Sequence, residues 1–280
     1  MPELPEVETV CRGLAKVLEG RRFAKVELRR KDLRIPFPKG LAAAVTGRKV
    51  EKIYRRAKYV MMSLDDGHVL IAHLGMAGRM TIIKKNADPP GPHDHVIFTT
   101  DNGTEVRFND PRRFGLMTIA KAAALDHHKL FRHLGPDAMS EAFNPRVLSA
   151  ALKGRKTSIK AALLDQRIVV GVGNIYACES LFRAGISPKR KAGTVAGKRA
   201  EALVPVIKQV LAEAIAAGGS SLRDHVQPSG ELGYFQKAWQ VYGREGESCG
   251  CGSNSAPADH KVKRIVQGGR STFFCTHRQT

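Results

Sequence analysis

Two residues at the start of the chain bring together groups capable of covalent chemistry. Once the initiator Met is removed, Pro2 would present a free secondary amine, and Glu3 places a carboxylate beside it. An α-amino group titrates near ~8, against ~10.4 for lysine, so a neutral fraction exists at physiological pH. A neutral secondary amine that attacks an electrophilic carbon becomes an iminium, permanently charged and electron-withdrawing, as elimination chemistry requires. The same residues also suit an ordinary helix start. Proline would occupy the first turn, and Glu3, Glu6 and Glu8 would face the positive end of the helix ahead of Val7, Val10, Leu14 and Leu18.

A second group with chemical potential lies at the other end. Cys249, Cys251 and Cys275 fall within the last 32 residues, accompanied by His260 and His277. In an intracellular protein such a cluster reads as metal binding before disulfide. Cys11 and Cys178 sit among apolar helical positions and read as small buried side chains.

These groups need elements to hold them. Residues 2–18 read as an amphipathic helix. From about 22 to 120, short β-branched or alternating segments are separated by turn signals, including DDG (65–67), DNG (101–103) and the loop 84–94, and they predict an antiparallel sandwich or barrel. From about 125 to 217 the pattern is helical, with Pro205 expected in the first turn of the last helix or at a kink. The stretch 218–233 is too polar for core, and 240–280 reads as a small ribbon that needs a staple.

The 280 residues suffice for two or three domains, and 42% hydrophobic content can build real cores. A net charge of +20 favours a polyanionic partner, nucleic acid or an anionic surface. No run of about 18 apolar residues exists, which argues against a spanning helix. The acidic N-terminus lacks a secretory signal, so a cytoplasmic protein is expected. No coiled-coil pattern suggests self-association, and a monomer without membrane contact is the expectation.

The start MPELPEVETV resembles the amino terminus of bacterial formamidopyrimidine-DNA glycosylases, of the wider family that includes endonuclease VIII. Matching stretches recur in the family's order: RRAKY (55–59), HLGMAGRM (73–80), HDHV (93–96), DPRRFG (110–115), GVGNIYACESLF (171–182), QVYGREGE (240–247) and GGRSTFFC (268–275). The resemblance implies a multidomain α+β protein. Its parts would be an N-terminal catalytic antiparallel β-sandwich (2–122), a DNA-binding helix–two-turn–helix domain (130–235) and a C-terminal β-hairpin of zinc-finger type (240–280), with damaged double-stranded DNA bound across the cleft between them.

The implied activity is excision of oxidised purines such as 8-oxoguanine and formamidopyrimidines, followed by strand cleavage through β,δ-elimination. Pro2 would attack the sugar C1′ and form the Schiff base, and Glu3 would protonate the ring oxygen. Lys58 matches a lysine assigned to proton transfer, though contact with a phosphate is an equal reading. Arg270 matches an arginine that clamps phosphates and serves the second elimination; a guanidinium with a pKa above about 12 is a poor proton donor, so the clamp is the firmer part. Met76, Arg112 and Phe114 match the wedge that fills the gap left by an extruded nucleotide. Met76 could instead be core, but Gly75 and Gly78 around it suggest an exposed tight loop. His93, Arg112, Lys156 and Asn174 match DNA contacts, Asn174 as a helix N-cap with Gly171 and Gly173 letting backbone N–H groups approach an anion. Glu179, Lys160 and the stretch 218–233 resemble parts that surround the flipped base.

The metal site departs from the family. Two Cys-x-x-Cys pairs are expected, whereas this chain has Cys249-Gly-Cys251 and Cys275-Thr-His-Arg278. Three cysteines with His260 or His277 would make a tetrahedral site for one structural zinc ion per chain; a metal-free hairpin is the alternative. Two other functions stay open at this point: an endonuclease VIII-like enzyme for oxidised pyrimidines, and a non-catalytic protein that binds damaged DNA.

Overall fold

The computed structural model describes residues 2–83, 87–220, 228, 233–252 and 260–280. Residues 84–86 of the predicted loop, 221–227 and 229–232 of the polar stretch and 253–259 of the tail therefore lie outside the described residues. The chain forms two compact units, Met1–Arg132 with Ala214–Gln236, and His133–Glu213 with Lys237–Thr280.

The first unit opens with α1 (Leu4–Leu18), followed by β1 (Phe23–Leu28), α2 (Leu41–Val45), β2 (Val50–Arg56), β3 (Tyr59–Leu64), β4 (His68–His73), β5 (Arg79–Ile83), β6 (Asp94–Thr100), β7 (Glu105–Asn109) and β8 (Leu116–Lys121). The strands make two four-stranded antiparallel sheets, ordered β1-β6-β7-β5 and β2-β3-β4-β8. The predicted sandwich is therefore present.

One core joins Phe23, Val96, Phe98, Val106 and Phe108 of the first sheet to Val50, Ile53, Val60, Met62, Leu70 and Met117 of the second. Val7, Val10, Cys11, Leu14 and Leu18 add the apolar stripe of α1, which packs on β2 and β3. Each large side chain so buried contributes about 1.5–3 kcal/mol, which anchors the chain's first turn to the sheet.

In the second unit, α3 (Pro145–Leu152), α4 (Ile159–Leu164) and α5 (Asn174–Arg183) precede α6 (Lys198–Ala216), whose final residues group with the first unit. Asn144 caps α3 by accepting the Val147 N–H at 3.1 Å. Ser158 caps α4 through the Ala161 N–H at 3.3 Å. Pro205 stands inside α6, not in its first turn, so the i−4 carbonyl loses its helical donor. β9 (Lys263–Gln267) and β10 (Arg270–Phe274) form an antiparallel hairpin with β10 against α5. Gly268 and Gly269 turn it with φ of +55° and +72°, backbone that side-chain-bearing residues rarely adopt.

Candidate active site and metal-binding group

In the first unit, Pro2 is buried and immediately precedes Glu3, the N-cap of α1, which is 3% exposed. The Glu3 N–H donates to Glu6 Oε2 at 2.8 Å, and the other Glu6 oxygen accepts the Ser220 N–H at 2.9 Å. These bonds bear out the helix-start reading of the acidic residues. Glu6 is helix-capping chemistry, and by capping it fixes the backbone that carries Pro2 and Glu3.

Lys58 is the second residue of the two-residue turn between β2 and β3, where Arg56 pairs with Tyr59. Its predecessor Ala57 has φ +59°, a left-handed conformation that costs a residue with a Cβ about 1–2 kcal/mol. That strain sits next to a lysine only 8% exposed. Across the sheet His73 pairs with Tyr59, ring centroids 4.9 Å apart. Burial, with the Lys58 and Arg34 charges adding, pushes His73 down to about 4. Its Nδ1 accepts the Gly75 N–H at 3.0 Å, so the neutral ring carries its proton on Nε2 and can donate there. His73 lies in the matched HLGMAGRM stretch, yet a lone histidine at a strand end gives no sequence signal of its protonation state.

The predicted wedge residues are exposed: Met76 is 41% and Phe114 44% accessible, and the Arg112 guanidinium lies 4.9 Å from the Phe114 ring centroid. A Cβ at Gly75, where φ is +64°, would lie 2.4 Å from the Phe114 carbonyl carbon and the Gly115 nitrogen. The two loops therefore touch backbone to backbone, which bulkier residues would prevent. His93 is exposed beside them and its carbonyl accepts the Asp110 N–H.

In the second unit Arg270 and Lys156 are exposed. Asn174 corrects the sequence expectation: Gly173 is the N-cap, and Asn174 is the first helical residue. Its amide donates to the Ser271 carbonyl at 2.9 Å and to the Tyr242 hydroxyl at 3.3 Å. The Gly171 N–H is likewise engaged, by Gln166 at 3.0 Å. Lys160 and Glu179 are both fully buried. Lys160 donates to the Ser271 carbonyl at 3.0 Å and Thr272 Oγ1 at 2.7 Å, while Glu179 accepts the N–H groups of Gln240, Val241 and Tyr242 at 2.8–3.0 Å. Both are internal anchors with no surface to offer a base. Periodicity could not separate them from exposed polar residues.

Cys249, Cys251, His260 and Cys275 place one ligand atom each within 4.8 Å of one another. Tetrahedral zinc with Zn–S near ~2.3 Å needs donors just under ~4 Å apart, so the set fits after small adjustment. Burial, with the neighbouring Cys275 and Cys251 thiols adding, pushes Cys249 up to about 12, which a cation would reverse. Of the two candidate histidines, His260 belongs to the group; His277 lies beside it, its ring tilted by 55° with centroids 4.3 Å apart. Cys11, by contrast, is held near 12 by burial and the Glu8 charge and is chemically inert.

Profiles of the formamidopyrimidine-DNA glycosylase N-terminal domain and of its H2TH domain match residues 1–117 and 134–226. The formamidopyrimidine-DNA glycosylase of Ruegeria pomeroyi is 54% identical, with both chains covered completely. The chain belongs to the formamidopyrimidine-DNA glycosylase family. The MutM (Fpg) crystal structure from Thermus thermophilus superposes with a TM-score of 0.86 at 38% identity, covering 99% of this chain and 98% of that one. A Lactococcus lactis Fpg mutant in complex with DNA containing Fapy-dG superposes with a TM-score of 0.89 at 31% identity, each chain covered entirely. The fold is thus the α+β arrangement of the formamidopyrimidine-DNA glycosylases: β-sandwich, helical H2TH domain and C-terminal hairpin. Among the described residues no helix is long and apolar enough to cross a membrane.

Proposed function

We propose that this protein is a base-excision-repair DNA glycosylase that removes oxidised purines, 8-oxoguanine and formamidopyrimidines, and cleaves the strand as an AP lyase. Its partner is damaged double-stranded DNA, met as a monomer in the bacterial cytoplasm. The observation that carries the reading is 54% identity to a formamidopyrimidine-DNA glycosylase along the whole chain, reactive N-terminus included. In this reading residues 2–122 carry the nucleophile, and 130–235 with 240–280 grip the strand.

The Pro2 nitrogen attacks C1′ of the lesion nucleotide, and Glu3, nearly excluded from solvent, delivers a proton to the ring oxygen as the sugar opens. The damaged base leaves, and the iminium draws electrons from C2′. Loss of a C2′ proton, carried by Lys58 in this reading, expels the 3′ phosphate, and a second elimination expels the 5′ phosphate. His73 holds a donating N–H at Nε2 beside Lys58 without adding charge. Met76, Arg112 and Phe114 fill the space the nucleotide vacates. His93, Lys156 and Arg270 serve the phosphates, where most of the affinity lies, while the Asn174 amide, engaged by Ser271 and Tyr242, steadies the backbone beside Arg270.

Cys249, Cys251, His260 and Cys275 would hold one zinc ion, a reading supported by their clustered ligand atoms. With four protein donors these residues would leave no open position on the metal, so its chemistry would be structural, securing the base of the hairpin that presents Arg270.

Borohydride trapping tests the reading. Incubation with a duplex containing 8-oxoguanine should yield a covalent protein–DNA adduct, and Pro2→Gly or an uncleaved N-terminal tag should abolish it. Adducts only with oxidised pyrimidines would favour an endonuclease VIII-like enzyme. No adduct with either lesion would leave a damaged-DNA-binding protein.

A further inference from the structure

We infer that Asp110 is the positioning residue that holds the wedge loop in the shape needed to extrude a lesion, an inference that rests on the repair function proposed above. Asp110 is fully buried, and its Oδ2 accepts the Gly115 N–H at 2.7 Å, bridging the two ends of the segment that carries Arg112 and Phe114. Its Oδ1 has no hydrogen-bond partner among the described residues. A carboxylate taken out of water for a single neutral donor is a poor stabiliser, and an apolar residue of similar volume would avoid the desolvation. What it holds explains its presence better than what it contributes to stability.

Every other polar backbone atom of Asp110 is also engaged. Its N–H donates to the His93 carbonyl at 3.0 Å. Its carbonyl accepts the Arg113 N–H at 3.2 Å and lies 2.9 Å from His95 Nε2. His95 is 2% exposed, and burial lowers its pKa, so the neutral ring donates that proton to the carbonyl.

The loop being held is under tension. Arg113 has φ +55°, an unfavourable conformation for a residue with a side chain. Gly115 is enclosed so tightly that a Cβ there would lie 2.8 Å from the His73 carbonyl and 2.9 Å from Asp110 Oδ2. The far side of the same backbone abuts Gly75, which precedes Met76. Release of the Gly115 N–H would let the strained turn relax and would move all three wedge side chains together. Asp110 touches neither sugar nor phosphate in this account; it acts through Arg112, Phe114 and Met76.

The test compares two substrates under single-turnover conditions: an 8-oxoguanine duplex, which must be unstacked, and an abasic site in single-stranded DNA, which need not be. Asp110→Ala should slow base excision about 10- to 100-fold while slowing abasic-site elimination less than about threefold. It should also reduce the fluorescence rise of a 2-aminopurine placed beside the lesion. Asp110→Asn keeps an acceptor oxygen for Gly115 and should restore both signals. Thermal melting checks folding, and if Asp110→Ala does not fold, His95→Phe, which removes the donor to the Asp110 carbonyl, should show the same split. Equal losses on both substrates in a folded variant, or excision at the parental rate, would overturn the inference. A parent chain inactive on 8-oxoguanine would instead overturn the repair function itself, and the inference with it.

Discussion

The Lys160 ammonium reaches the carbonyl of Ser271 at 3.0 Å and the Thr272 hydroxyl at 2.7 Å, fastening α4 to the strand that begins with Arg270. Asn174 donates to the same Ser271 carbonyl from the first turn of α5. Two helices therefore fix the backbone next to Arg270, the arginine proposed to grip the phosphates. Lys160→Met should cost about 1–3 kcal/mol of stability by leaving these acceptors unpaired. It should also weaken binding to an abasic-site duplex, measured by fluorescence anisotropy. Unchanged melting and affinity would show that the hairpin holds its place without this bond.

Glu6 acts similarly on Pro2, the proposed nucleophile. Its carboxylate joins the Glu3 N–H to the Ser220 N–H, so Glu6→Leu should leave two buried donors unsatisfied and slow borohydride trapping about 10- to 100-fold. Glu6→Gln, which keeps one acceptor oxygen, should lose less. Equal trapping rates for parent and Glu6→Leu would rule out this role.

His73 makes stability pH-dependent. Its pKa is about 4 in the fold, against 6.5 for an ordinary histidine, so between these values the unfolded chain binds the additional proton. The contribution is fully present above pH 6.5 and is lost as pH falls towards 4, by about 3 kcal/mol at most. Urea denaturation at pH 7 and pH 4.5 should show a smaller decrease for His73→Gln than for the parent. A parallel decrease in both would remove His73 as the cause.

Metal analysis separates the two histidines. Purified protein should contain about one zinc per chain. His260→Ala should lose most of it and His277→Ala should retain it, because only His260 shares the sulfur cluster. Chelation should lower the melting temperature of the parent. Zinc retention by His260→Ala would exclude that ligand.

Much of this was legible in the residues. Strand periodicity between 22 and 120 identified the sandwich, because alternate side chains of β3 such as Val60, Met62 and Leu64 must share one buried face. The exposure of Met76 was foreseeable from Gly75 and Gly78, since glycines on both sides of it signal a tight turn and not core. Lys160, Glu179 and Asn174 were less transparent. Each is polar in type, but its environment depends on partners 61–112 positions away in the chain.

The order of residues alone determined the amine and carboxylate brought together at Pro2–Glu3, the sheet and helix segments, the basic excess and the thiols available for a metal, since these depend on residue type and local spacing. Tertiary packing decided the rest. It selected His260 over His277, turned two ionic side chains into internal fasteners, and held His73 neutral beside Lys58. The physical reason is that burial and hydrogen-bond partnership are properties of a residue's surroundings in space, and those surroundings arise only when distant segments close on one another.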